Sequence, residues 1–456
     1  MPHPLRSLWT GHRMIYLILI DMKRFILSAC LLVFGAMHLS AQEVVYSLND
    51  EDGVYSAGDK VVVYAEATED VSVTYDIMNY GVDTLDTRTV KLKKGKKKAV
   101  YSKKHKETCH IVLNLSYEGL ETPVAVGFVV APENFTAGYD CPPDLREFWD
   151  GQVAQLRKLP IESSLVKVTK CKEKGFEKTE CHDLTLNMPE GRPVRGYMAL
   201  PKDAEKGSLP IIIFAHSAGV NKHFNYATPE RAVQYSKYGR GCISVDINAH
   251  GMENAQPQEY YDGLYKGEMN RYADRKITGH KDYYFRLMFL RLVRTLDYLT
   301  TLPEWDGKTV LVYGESQGGA QAMALSGIDN RVTACVAIVP AMNDLGASKQ
   351  GRPACWPKAR ESRMNKDNPM ADKVLPYYDA SLLSTLSKAE YWIEIGLVDK
   401  TCPPPAIWSS INVIKNRCIV HTFPFRPHHK PVAPYLEDWK NTNYNPRIEW
   451  MKEYLK

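Results

Sequence analysis

Between residues 209 and 423 apolar segments alternate with stretches of helical periodicity, and this alternation limits the fold more than any other feature of the chain. LPIIIFAH (209–216), GCISVDIN (241–248), KTVLVYG (308–314), RVTACVAIVP (331–340), EYWIEIGL (390–397) and RCIVHTF (417–423) are too apolar to present a wet face. Such strands are buried on both sides, which predicts a mostly parallel sheet. TPERAVQYSKYG, DYYFRLMFLRLVRTLDYLTTLP, QGGAQAMALSG and PAIWSSINVIK lie between them and supply covering helices. Ligands of such sheets lie beyond the carboxyl ends of the strands, so chemistry is sought there.

The preceding part reads differently. Across 42–130 the segments VVYSL, KVVVYAEA, VSVTYDIM, HIVLNLSY and PVAVGFVV are separated by DEDG, NYG and YEG turns. Roughly seven short strands in about 90 residues predict an immunoglobulin-like β-sandwich. It carries no catalytic constellation, so it reads as a packing or spacer domain, or as a carbohydrate-binding module. The turn-rich segment 131–143 and the helical DLREFWDGQVAQLRKLP next to it mark a boundary, placing the second domain at 131–456.

From Met22 the sequence MKRFILSACLLVFGAMHLSAQ has a charged start, an apolar run and small residues at its end. It reads as a secretory signal peptide cleaved after Ala41, with residues 1–21 upstream of the true start, and so places the protein outside the cytoplasm. The apolar run is too short for a stable membrane span. The net charge is only +5, concentrated in KLKKGKKKAVYSKKHK at 91–106. Without a nucleic-acid motif, that run predicts a solvated hairpin edge rather than a polyanion site. Removing the signal leaves nine cysteines without metal-ligand spacing, so no metal is expected. Cys171 and Cys181 flank a Gly175-centred turn and suggest one local disulfide.

KTVLVYG runs into Gly314-Glu315-Ser316-Gln317-Gly318-Gly319 and then into a helix. This is G-x-S-x-G in the strand–turn–helix setting of a nucleophile, where side chains at Gly314 and Gly318 would collide with their surroundings. A serine hydroxyl needs a base, and the base needs an orienting carboxylate. Asp399 follows EYWIEIGL, and His428-His429 follow RCIVHTF, each at a strand's carboxyl end and in the chain order serine, acid, histidine. A bland reading makes Asp399 the cap of the helix near Pro403 and the histidines solvated. Oxyanion donors are expected from the backbone N–H of Gln317 and of His216 or Ser217. Asn248 and His250, after GCISVDIN, are candidates for the rim of the substrate pocket, as is the His216 side chain.

With these residues in place, the chain resembles the acetyl xylan esterase and cephalosporin-C deacetylase family, carbohydrate esterase family seven, over 131–456. The resemblance rests on AGYDCPPDLREFW, GESQGG, IGLVDKTCPPPAIWSSIN and FPFRPHH. It implies an α/β-hydrolase fold with Ser316, Asp399 and His428 as triad and His216 and Gln317 as oxyanion donors. It implies hydrolysis of acetyl esters on sugars without a cofactor, in a possible homo-oligomer. Two departures stand out: Asn248-Ala249-His250 replaces an Arg-Gly-Gln signature, and His429 replaces a Glu. The sandwich and the segment 343–378, with Trp356, are additions that could reshape access. A serine peptidase of the same fold and a vestigial glycan-binding protein are the competing readings.

Overall fold

The computed structural model describes residues 43–456, so the export segment expected before Ala41 lies outside the described residues. The first eight strands are β1 (Val44–Leu48), β2 (Val54–Tyr55), β3 (Lys60–Ala67), β4 (Val71–Asn79), β5 (Asp83–Leu92), β6 (Lys98–Lys104), β7 (Cys109–Tyr117) and β8 (Val124–Val130). They form two sheets, ordered β1-β3-β6 and β2-β8-β7-β4-β5. Alternation along the strands turns Val61, Val63 and Ala65, then Ile111, Leu113 and Leu115, then Val126 and Phe128 into one shared core. This is the immunoglobulin-like sandwich.

The lysine-rich run does not form a hairpin. It leaves β5 at the edge of one sheet and enters β6 at the edge of the other, so its ends pair with different partners. Both strands are edges, which is where exposed lysines oppose unwanted strand pairing.

Nine more strands complete the set: β9 (Ser163–Lys167), β10 (Thr179–Leu186), β11 (Val194–Pro201), β12 (Leu209–Ala215), β13 (Ile243–Ile247), β14 (Trp305–Glu315), β15 (Ala334–Ile338), β16 (Glu390–Gly396) and β17 (Cys418–Phe423). Their order is β17-β16-β15-β14-β12-β13-β11-β10-β9. The six apolar segments of the sequence became β12 to β17 and run parallel, whereas β11, β10 and β9 are antiparallel additions at one edge.

Helices Leu145–Arg157, Phe285–Leu299 and Gln317–Ile328 pack on one face around Trp149, Phe285 and Phe289. The other face meets Tyr235 of helix Pro229–Ser236 and Met451 of the C-terminal helix Asn445–Tyr454. The result is an α/β-hydrolase fold. No helix among the described residues is long and apolar enough to cross a membrane.

The suggested Cys171–Cys181 disulfide is absent: both are free thiols. They fill space in a small apolar cluster with Tyr197, Ala199 and Val233.

Candidate active site

Strand β14 ends at Glu315, and the chain reverses at once into helix Gln317–Ile328. Ser316 sits on the turn with φ 58° and ψ −121°, a conformation that costs about 1–3 kcal/mol unless its surroundings impose it. They do. A Cβ on Gly314 would lie 2.2 Å from the backbone of Gly318, and one on Gly318 would lie 2.1 Å from the Ala215 carbonyl oxygen of β12. The Ser316 N–H donates to the Ile338 carbonyl at 2.8 Å, and its own carbonyl accepts from Ala320 and Ala341.

His428 Nε2 lies 2.9 Å from Ser316 Oγ, and His428 Nδ1 lies 2.8 Å from Asp399 Oδ2. The other carboxylate oxygen of Asp399 accepts the N–H groups of Thr401 and Cys402 at 2.7 and 2.9 Å. Asp399 therefore caps no helix; Pro403 occupies that position before Pro404–Ile411 and makes no side-chain cap. His429 is exposed, its ring centroid 5.6 Å from that of His428. The structure thus brings Ser316, His428 and Asp399 into one hydrogen-bonded row and leaves His429 outside it.

Arg426, two residues before His428, is almost fully buried. It donates to Glu394 of β16 at 2.6 Å and to Glu315 at 3.2 Å, while Arg447 approaches the other Glu394 oxygen at 2.7 Å. Two cations and two carboxylates tie the histidine loop to the strands that present Ser316 and Asp399. The sequence signal for this was present: Glu394 interrupts the buried strand EYWIEIG, and a buried carboxylate requires a cationic partner.

On the opposite side of Ser316, the Gln317 N–H opens its helix and has no intrahelical acceptor. The Gln321 amide nitrogen donates to the carbonyls of His216 and Gln317 at 3.0 and 3.3 Å, so one side chain ties both residues expected to supply oxyanion donors. The Ser217 hydroxyl donates to the Glu315 carbonyl.

The side chains assigned to the pocket rim are elsewhere, and this is a correction. The His216 imidazole is fully buried between Asp246 at 2.5 Å and the Phe224 carbonyl at 2.9 Å, with Arg231 on the second Asp246 oxygen. Asn248 is buried and saturated by Ala227, Met252 and Asn254. His250 is buried against Tyr272 and Tyr284, and burial pushes its imidazole down to about 3. His216 and Asn248 close internal bonds beneath the loops, whereas His250 bonds the Tyr284 hydroxyl through Nδ1 and leaves Nε2 buried without a partner.

Tyr272, which sequence reasoning did not single out, donates its hydroxyl to the Gln317 side-chain oxygen at 2.5 Å and accepts the Gly219 N–H at 3.3 Å. It bridges the loop after β12 to the residue after Ser316. Trp356 lies 6.4 Å from it ring to ring, and the Trp356 backbone N–H donates to the Thr401 carbonyl at 2.9 Å, so the segment 343–378 adjoins the acid loop. One of many tyrosines, Tyr272 has no sequence signal of its own.

Among the described residues, Asp399, Cys402 and His428 are a group whose donor atoms could hold a metal ion, lying within 4.8 Å of one another. Two of the three are already bonded together, and burial pushes the Cys402 thiol well above its ordinary value. That chemistry suits an oriented acid–base pair more than a cation cradle.

The family model described as acetyl xylan esterase (AXE1) matches residues 133–444. Acetyl esterase Axe7A of Xylanibacter ruminicola is 28% identical over 418 residues, covering 90% of each chain. The stretch from residue 131 to the C-terminus is shorter than that, so the likeness continues into the sandwich. The acetyl xylan esterase from Paenibacillus sp. R4 superposes with a TM-score of 0.55 at 21% identity, over 70% of this chain and 98% of that one. Acetyl xylan esterase 1 from Thermoanaerobacterium sp. JW/SL YS485 gives 0.54 at 19% identity, over 71% and 98%. At such identity the two structures speak for the fold.

The buried charge network generates a prediction. Arg426→Met removes one cation and leaves Glu394 to Arg447 alone, a change expected to cost about 3 kcal/mol. Urea unfolding measures it, and a loss below about 1 kcal/mol would contradict the role given to the network.

Proposed function

This chain belongs to the acetyl xylan esterase family, and we propose on that premise that it removes acetyl groups from acetylated sugars or xylo-oligosaccharides through Ser316, His428 and Asp399. It is a carboxylic ester hydrolase. The observation that carries the mechanism is the row Asp399–His428–Ser316, with bonds of 2.8 and 2.9 Å, at a turn with no room for other residues at 314 and 318.

In this reading His428 Nε2 takes the Ser316 proton as Oγ attacks the acetyl carbonyl. Negative charge gathers on the carbonyl oxygen, held by the backbone N–H groups of Gln317 and His216. Collapse breaks the ester bond; His428 returns its proton to the departing sugar oxygen, and the acetyl group stays on Ser316. Water, deprotonated by His428, then attacks that ester and releases acetate. Asp399 holds the imidazole in orientation and stabilises its charged form. No step calls for a metal or a cofactor.

The acetyl preference is supported by the family and by the named activity of the Xylanibacter relative. Tyr272 and Trp356 add an aromatic wall near Gln317 and the acid loop, which suits a short acyl group. The signal-like segment before Ala41 supports action outside the cytoplasm.

Ser316→Ala should lower kcat/KM for an acetate ester by at least about 1,000-fold with the Tm unchanged. His428→Ala should be equally impaired and His429→Ala near parental; the reverse result would move the base to His429. Across chromogenic acetate, butyrate and octanoate esters, kcat/KM should fall steeply after acetate, since a closed slot loses about 1 kcal/mol or more per misplaced methylene. A rise with chain length would sink the acetyl assignment. Tyr272→Phe should lower kcat about tenfold at unchanged KM, because a loosened oxyanion donor acts in the transition state; parental kcat would remove that role.

A further inference from the structure

The sandwich touches both loops that the proposed mechanism needs. On β7, the His110 ring is buried and its Nε2 donates to the Leu397 carbonyl at 2.8 Å, two residues before Asp399. On β8, the Gly127 N–H donates to the Pro424 carbonyl at 2.9 Å, four residues before His428. A third tie runs from the Thr422 hydroxyl of β17 to the Asp52 carbonyl at 2.6 Å.

These contacts are close enough to select residues. A Cβ on Gly127 would fall 1.9 Å from the Leu397 carbonyl oxygen, so only glycine lets β8 pass this near. Gly53 packs in the same way on the Leu397 and Pro424 side chains. Phe425 lies partly buried against the sandwich core and stacks on Tyr435 at 3.7 Å and 3°. Tyr435 in turn accepts the N–H of Tyr46 in β1.

His110 is the informative member. Its second ring nitrogen, Nδ1, is buried without a hydrogen-bond partner, an arrangement that costs about 1–3 kcal/mol. Burial also pushes its imidazole down to about 4, so the ring is neutral and its single proton sits on Nε2, facing the carbonyl. An apolar residue would pack here without that cost. What it could not supply is an N–H for the Leu397 carbonyl, which lies past the end of β16.

From inside the hydrolase fold, Leu397 N–H donates to Phe423 and Val398 N–H to Arg426, which joins the two loops to each other, while Arg426 anchors the histidine loop to Glu394 and Glu315 and the Trp356 backbone N–H holds the Thr401 carbonyl of the acid loop. The outward carbonyls are the sandwich's to hold. We infer that the sandwich is a positioning clamp for the catalytic loops, with His110 and Gly127 as positioning residues that fix Asp399 and His428 relative to Ser316. This rests on the roles proposed for Asp399 and His428. The sandwich then sets the chemical step without touching substrate.

The test uses the full chain and a chromogenic acetate ester, well below each variant's Tm. His110→Leu removes the donor, His110→Gln keeps an N–H, and Val61→Ala hollows the sandwich core on β3, in the sheet that carries neither His110 nor Gly127. A displacement near 1 Å at a catalytic group costs on the order of 100-fold in rate. His110→Leu should therefore lower kcat at least about tenfold with KM within about twofold, and His110→Gln should restore most of it. Val61→Ala should lower Tm and keep kcat.

Parental kcat in His110→Leu, or an equal fall in Val61→Ala, would overturn the clamp. Neither result would touch the triad, which stands or falls with Ser316→Ala and His428→Ala. If His110→Leu does not fold, Thr422→Val replaces it, with a smaller fall confined to kcat expected and an unchanged kcat overturning the inference.

Discussion

The structure depends on a turn that has room for nothing but glycine two residues before and two residues after Ser316. With φ at 58°, the serine backbone is held where few residues settle, and three backbone bonds to Ile338, Ala320 and Ala341 keep it there. The strands of the parallel sheet deliver the other groups to the same edge. β12 ends before His216, β16 just before Asp399 and β17 before the histidine loop, so a ladder of main-chain bonds fixes spacings that side chains alone could not.

Charge does the second part of the positioning. Arg426 and Arg447 converge on Glu394 within the fold, and Arg426 also reaches Glu315 beside Ser316. Buried ions of this kind add little net stability. They do define a single arrangement, because each carboxylate leaves its neighbour unpaired if it moves. The His216–Asp246–Arg231 cluster has the same character under the loop that carries a candidate oxyanion N–H.

Much of this was legible in the sequence. The six parallel strands announced themselves by unbroken apolar runs, and Gly314, Gly318 and the chain order of Ser316, Asp399 and His428 pointed to one edge. The antiparallel strands β9 to β11 escaped notice because their mixed polarity, as in TECHDLTL, resembles that of loops. Asn248 and His250 were placed near the right loop but on the wrong side of it. A polar residue after a buried strand can face the ligand or close a turn, and only burial decides between them. Tyr272 and His110 act through partners 45 and 287 residues away in the chain, distances at which sequence pattern carries no signal.

In the proposed reaction Ser316 carries the acetyl group midway. Rapid acid quenching during turnover of an acetate ester, with peptide mass spectrometry of the quenched protein, reads this directly. An acetyl increment is expected on the peptide containing Ser316, formed at a rate no slower than turnover. Full turnover with that peptide unmodified, and acetate arising in one step from water, would contradict it.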